Sequence, residues 1–226
     1  RKLPASYDMF IDTGLTKSEV KKIGIEIGTY VGFDQKTDYL GGKKNLIVGK
    51  AADDRAGCYI LIELIKRLKK TKHEINYVFT VQEEMGLYGS KTSTYTVNPD
   101  WAIAVDTTNS NEHDVEEEAT REVSGGPVLT YKDAELLSNQ VLDDWIMGLA
   151  KKNKIKLQPQ VSDFGTTDAM SMSVSKGGIP STVISIPIKN IHSAVSVCDM
   201  DDINDAIDLL ELLVKNPPHF IKPHKF

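Results

Sequence analysis

A three-layer α/β sandwich on a largely parallel sheet is the fold class this sequence predicts, preceded by part of a small β-rich module. Three observations predict it. From Asn45 onward, apolar runs of strand length alternate with amphipathic stretches of helical period. Before that point Gly14, Gly24, Gly28, Gly32, Gly41 and Gly42 break the chain into short pieces. Acidic residues also recur where predicted strands end, the edge at which open α/β sheets bind ligands.

The elements follow in order. Ser18 to Lys22 is expected to form a short helix capped by Thr16 or Ser18. Ile23 to Ile27 and Tyr30 to Phe33 are expected as short strands. Leu46 to Val48 is a strand, and Asp54 to Lys70 a helix with Ile60, Leu61, Leu64, Ile65 and Leu68 at helical spacing. Ile75 to Val81 is an apolar strand, and a short helix follows Gly86. Trp101 to Val105 and Pro127 to Thr130 are strands, and Ala134 to Lys151 is an amphipathic helix. Leu157 to Val161 is a strand, Ala169 to Ser175 a helix, Thr182 to Ile186 a strand, and Met200 to Val214 the closing helix. The expected division is a β-rich remnant over 1–40 and a main domain over 41–226. The three prolines after Asn216 end the last helix and leave a surface arm that carries His219 and His224.

Bulk properties narrow the function. The 226 residues are 40% hydrophobic and 26% charged, an ordinary globular composition, with a formal net charge of −5. Mild acidity leaves no footprint for nucleic acid or an anionic membrane. No apolar run approaches the roughly 18 residues of a spanning helix. Two cysteines, Cys58 and Cys198, make no disulfide framework, so a reducing, cytoplasmic setting is expected. Cys58 reads as a small buried packing residue, and Met170 and Met172 as core or pocket lining. His73 and His113 read as surface residues, the latter in the acidic loop Glu112 to Glu118.

The chemistry-bearing residues are those at strand ends. Asp53 and Asp54 follow one predicted strand, Glu83 and Glu84 a second, and Asp106 a third. His192 follows a fourth after a short connection. Singly, each has an ordinary explanation: a helix cap, a turn residue or a structural histidine. Several acids converging on one edge repel unless a cation neutralises them. Mixed carboxylate and imidazole donors suit zinc, cobalt or manganese. Adjacent glutamates permit a division of labour, one as metal ligand and one as general base.

Four segments occur in order: Ala51-Ala-Asp-Asp-Arg-Ala-Gly57, Val81-Gln-Glu-Glu-Met-Gly-Leu-Tyr-Gly89, Ala102-Ile-Ala-Val-Asp106 and Ile191-His-Ser193. They resemble the dinuclear metallo-aminopeptidases that include glutamyl aminopeptidase, deblocking aminopeptidase and the TET peptidases, some labelled endoglucanase. The resemblance runs from about Ile11 to about Val214. It implies two divalent ions, zinc or cobalt first and manganese next. Asp53 would bridge them, Glu84 and His192 would hold one, Asp106 the other, and Glu83 would be the general base. Ser162-Asp-Phe-Gly-Thr-Thr-Asp168 resembles a loop near that site, which makes Asp168 a supporting candidate. Peptide substrates and a homo-oligomer, with a tetrahedral dodecamer among its forms, are further implications.

The family supplies one more ligand, the His of a His-x-Asp segment ahead of the Asp-Asp-Arg motif. No histidine precedes His73 here, so the resemblance implies that an N-terminal portion is missing. Two rival readings stand beside the peptidase. One is an inactive homologue or fragment with a binding or assembly role. The other is a glycoside hydrolase, disfavoured because neighbouring glutamates cannot readily flank a glycosidic bond.

Overall fold

The computed structural model describes residues 8–42, 45–71, 73–110 and 121–218. The acidic loop with His113, and His219 and His224, lie outside the described residues. The chain divides into two units, Arg1–Asp34 and Gln35–Phe226.

In the first unit, helix α1 (Lys17–Lys22) starts at a capping box. The Glu19 N–H donates to Thr16 Oγ1, and the Thr16 N–H donates to Glu19 Oε2 at 2.9 Å. The predicted strands Ile23 to Ile27 and Tyr30 to Phe33 do not form. Gly24 and Gly28 adopt φ of 81° and 94° and bend this run into turns. The Ile25 N–H bonds back to the Val20 carbonyl, and Thr29 N–H to Glu26. Ile27 and Tyr30 are fully exposed.

The second unit holds two sheets. A four-stranded sheet is built from β3 (Ala102–Asn109), β4 (Val128–Lys132), β5 (Gln158–Val161) and β6 (Ser181–Ile188), in the order β3-β6-β4-β5. The β3/β6 and β4/β5 pairs are parallel, and β4/β6 is antiparallel. An antiparallel three-stranded sheet joins β1 (Asp38–Tyr39), β2 (Leu46–Gly49) and β7 (Ser196–Asp199) in the order β1-β2-β7.

Helices cover both faces of the larger sheet. Strand β6 is buried along its whole length, so its alternate residues supply both cores. Ile184, Ile186 and Ile188 pack with Ile60 and Leu64 of α2 (Ala52–Arg67), Ile146 of α4 (Gln140–Asn153), and Ile207 and Leu213 of α6 (Met200–Lys215). Val183 faces the other way, with Ala104 of β3 and Ala169 of α5 (Asp168–Ser173). Helix α3 (Tyr88–Val97) lies against α5 on that second face. At roughly 1.5–3 kcal/mol per buried aliphatic side chain, the first and larger core carries most of the hydrophobic stabilisation.

Four sequence expectations need correction. Ile75 to Val81 runs without strand pairing, because no described segment offers it a ladder. It lines a cleft of about 910 Å³ that also has Trp101 to Asp106 in its wall. β3 pairs only with β6, so its other edge has no ladder partner among the described residues. The helix expected from Ala134 starts only at Gln140, where the Asn139 side chain accepts from the Leu142 N–H at 3.1 Å. β3 continues to Asn109, which puts Asp106 inside the strand rather than at its end. Cys58 is exposed, not buried. It lines the same cleft, and partial burial together with the Asp54 charge pushes its thiol pKa up.

Candidate metal centre

Each candidate residue reaches the site through a local backbone device. β2 ends at Gly49, and α2 begins with a left-handed Ala51 at φ 52°. Asp53 and Asp54 have non-helical dihedrals there, and the peptide between them is cis. Regular helix follows, and the Gly57 N–H donates to Asp54 Oδ1 at 2.8 Å. A β-carbon on residue 57 would sit 2.3 Å from Asp54 Oδ2, so any side chain there would displace the Asp54 carboxylate.

Glu83 and Glu84 lie on a loop between Thr80 and α3. Gly86, at φ 114°, makes its turn, and the Gly86 and Leu87 N–H groups donate to the Glu83 carbonyl at 3.1 and 3.0 Å. Gly89 serves by close approach instead: an added β-carbon would lie 2.5 Å from Val81 N. Asp106 comes from within β3, and its Oδ1 accepts from the Thr107 N–H at 2.7 Å. His192, at φ 57°, occupies the connection from β6 to β7. That connection is closed at its neck by paired backbone bonds between Lys189 and Val197 of 2.9 and 3.0 Å.

These devices bring the side chains together. His192 Nε2 lies 3.0 Å from Asp53 Oδ2 and 3.4 Å from Glu84 Oε2. Two groups have donor atoms all within 4.8 Å of one another: Asp53, Glu84 and His192, and Asp53, Asp54 and Asp106. Asp53 belongs to both. Asp54 is the residue that sequence reasoning left out of the ligand set. Its one sequence signal was the glycine three residues on, which its carboxylate caps. Glu83 belongs to neither group. Asp168 stands behind the glutamate loop, hydrogen-bonded to Thr80 and Ser90.

The electrostatics are those of crowded acids, with His192 as the cationic partner that lowers one of them. Burial raises Asp54 to about 7, partly offset by its bond from Gly57, with the Asp53 and Asp168 charges adding to the rise. Burial also raises Glu83 to about 7, helped by Asp168, Glu84 and Asp53. Asp106 is pushed well above the carboxylate range by burial and by Asp54 and Asp53. Glu84 is raised by burial and Asp53, with His192 opposing. Such groups hold protons near neutrality unless a cation takes their place. The donor set, carboxylates plus one imidazole, fits borderline divalent cations. Beside it Glu83 remains a carboxylate without a place in either donor group, suited to moving a proton.

Comparison with known proteins gives a consistent picture. The family model described as M42 glutamyl aminopeptidase matches residues 1–209. The lysyl aminopeptidase of Pyrococcus furiosus is 30% identical over 220 residues, covering 96% of this chain and 61% of that protein. The aminopeptidase structure from the archaeon Desulfurococcus kamchatkensis superposes with a TM-score of 0.89 at 35% identity, over 96% of this chain and 61% of that one. The TET1 peptidase of Pyrococcus horikoshii, described as assembling into a tetrahedron or a large octahedral shell, has a TM-score of 0.67 at 30% identity. That match covers 81% of this chain and 54% of the other. The chain spans about 60% of the length of the curated relatives it matches. With the Asp-Asp, Glu-Glu and Asp segments lining one cleft, His192 beside Asp53 and Glu84, and a family model matched over residues 1–209, the chain belongs to the M42 glutamyl aminopeptidase family.

Proposed function

We propose that this chain supplies the metal-binding and proton-transfer residues of an aminopeptidase, a hydrolase that removes N-terminal residues from peptides with two divalent ions per subunit. The observation that carries the reading is the sharing of Asp53 between two donor groups, with the unshared Glu83 alongside. Asp53 is read as the bridging carboxylate, Glu84 and His192 as ligands to one ion, and Asp106 as ligand to the other. Asp54 is read as support for that second position. When bound, divalent ions supply the Lewis acidity that activates water and polarises a peptide carbonyl.

The residues of the chain do the rest. Glu83 takes a proton from the attacking water and delivers it to the leaving amine. Its half-buried setting favours a carboxyl that titrates near neutrality, the range in which accepting and returning a proton are both accessible. Zinc or cobalt is the expected metal, with manganese next. A homo-oligomer is expected, a dodecamer among its forms, on the precedent of the PhTET1-12s structure, described as a dodecamer, and of the TET1 peptidase's tetrahedron.

The test is metal analysis combined with turnover of amino-acid anilides by the cobalt-loaded chain and its Glu83→Gln variant. Bound metal in both and turnover only with Glu83 is the expected result. Undiminished turnover in Glu83→Gln would remove the general-base assignment. A chain that takes up no divalent metal would leave the inactive binding role as the better reading.

A further inference from the structure

The loop that carries Glu83 and Glu84 is pinched at its neck. The Gly89 N–H donates to the Val81 carbonyl at 3.0 Å, and no side chain fits on Gly89 without striking the Val81 backbone. One residue outward on each arm of the neck is a hydroxyl, and both hydroxyls reach the same carboxylate. Thr80 Oγ1 donates to Asp168 Oδ2 at 2.7 Å, and Ser90 Oγ donates to Asp168 Oδ1 at 2.5 Å. Thr80 precedes the loop, Ser90 sits in the first turn of α3, and Asp168 opens α5. Three separate chain segments therefore meet on one side chain.

The bridge is buried. Ser90 is fully enclosed and Asp168 nearly so. Ser171 Oγ lies 2.6 Å from Ser90 Oγ and also donates to the Asp168 carbonyl at 3.0 Å, which anchors the bridge in α5. A buried carboxylate is costly even when hydrogen-bonded, and this one faces other acids. If alignment of two hydroxyls were all that was needed, an amide would serve at lower cost. The charge makes sense where the loop it grips is to meet cations.

We propose that Asp168 is a positioning residue that clamps both ends of the Thr80–Ser90 loop, so that Glu83 and Glu84 are held in the geometry that receives the metal ions. The proposal rests on the metal-site reading above. It acts through hydrogen bonds to Thr80 and Ser90, at a distance from any substrate.

The test compares Asp168→Ala, Asp168→Asn and Thr80→Val in the full 226-residue chain. Two measurements are made: amide hydrogen exchange of the 80–90 segment, and calorimetric titration with Co²⁺. Asp168→Ala is expected to speed exchange in 82–88 by at least about tenfold while β6 stays protected. Its Co²⁺ affinity is expected to fall by about 10–100-fold, the usual effect of losing an outer support of a metal site. Asp168→Asn can still accept from one hydroxyl and donate to the other, so it should keep the loop protected and bind Co²⁺ more tightly than Asp168→Ala, while the lost charge leaves it below the parent. Thr80→Val removes one arm and should give an intermediate loss of both.

Unchanged loop exchange in Asp168→Ala and Thr80→Val overturns the clamp. So does faster exchange spread evenly over β3 and β6, which would make Asp168 a general stabiliser. If Asp168→Ala does not fold, Thr80→Val and Asp168→Asn decide by the same criteria. If the parent chain binds no Co²⁺, the metal-site reading fails, and the clamp is judged on exchange alone.

Discussion

Asp53 and His192 come into contact although neither belongs to the β2–β7 ladder. The last pair of that ladder is Gly49 with Ser196. Asp53 comes from the first turn of α2, after β2 has ended, and His192 from the connection between β6 and β7. Their side chains meet at 3.0 Å. Replacing His192 by alanine should therefore leave the ladder intact and lower Co²⁺ affinity by at least about 100-fold, as expected for a direct ligand. Calorimetric titration beside an unchanged circular dichroism spectrum is the measurement. Affinity within threefold of the parent would remove His192 from the ligand set.

Gly57→Ala tests the packing of Asp54. Glycine to alanine inside a helix ordinarily stabilises by about 0.5–1 kcal/mol. Here the new methyl group would lie 2.3 Å from Asp54 Oδ2 and 2.8 Å from its Cγ. We expect the sign to invert, with a loss of about 1–3 kcal/mol as the carboxylate is displaced. Thermal unfolding checks this: a fall of several degrees in Tm agrees with the geometry, and a rise contradicts it.

Metal affinity should depend on pH in a set direction. Burial and neighbouring acids raise Asp54 and Glu83 to about 7 and push Asp106 well above the carboxylate range, so protons occupy the cluster below neutrality. A cation must displace them, so affinity should climb between about pH 6 and 8 with release of roughly one or two protons per ion. Titration in two buffers of different ionisation enthalpy counts those protons. Binding without proton release would contradict the crowding of acids.

Asp202 provides a pH effect on stability away from the metal. Its carboxylate accepts from the Ser124 and Gly126 N–H groups at 2.7 Å each. Burial nonetheless raises it from 3.8 to about 6, with Asp199 and Asp205 contributing. A carboxyl raised on folding contributes stability that is complete below pH 3.8 and lost as pH rises through 6. The loss is on the order of 2–3 kcal/mol. Urea unfolding from pH 4 to 7 should show the advantage of the parent over Asp202→Asn shrinking across that range. An advantage that grows instead would reverse the assignment.

Much of this could be read in the sequence where local pattern and tertiary outcome coincide. The segment Thr182 to Ile186 was legible as a strand, and the structure makes it part of the strand whose residues feed both cores. Thr16, one of the two caps the sequence offered for the first helix, is its N-cap in the structure. What local pattern could not convey was pairing. Ile75 to Val81 has the composition of a strand, yet a strand exists only with a partner. Ile23 to Ile27 failed for a local reason, the two glycines that turn it. Asp54 and Asp168 were hard to weigh because their roles depend on packing. The first is fixed by the absence of a side chain at Gly57, and the second by hydroxyls 78 and 88 residues away in sequence.

The outer edge of β3 has a practical consequence for the isolated chain. Among the described residues that edge has no ladder partner, and such a row of main-chain donors and acceptors is a template on which another copy can add a strand. Ile75 to Val81, extended and rich in β-formers, is a ready donor for such an exchange. Concentrated solutions should therefore drift toward strand-swapped or fibrillar species. A lysine placed on that edge, at Ala102 for example, would be a rational way to keep the protein monodisperse.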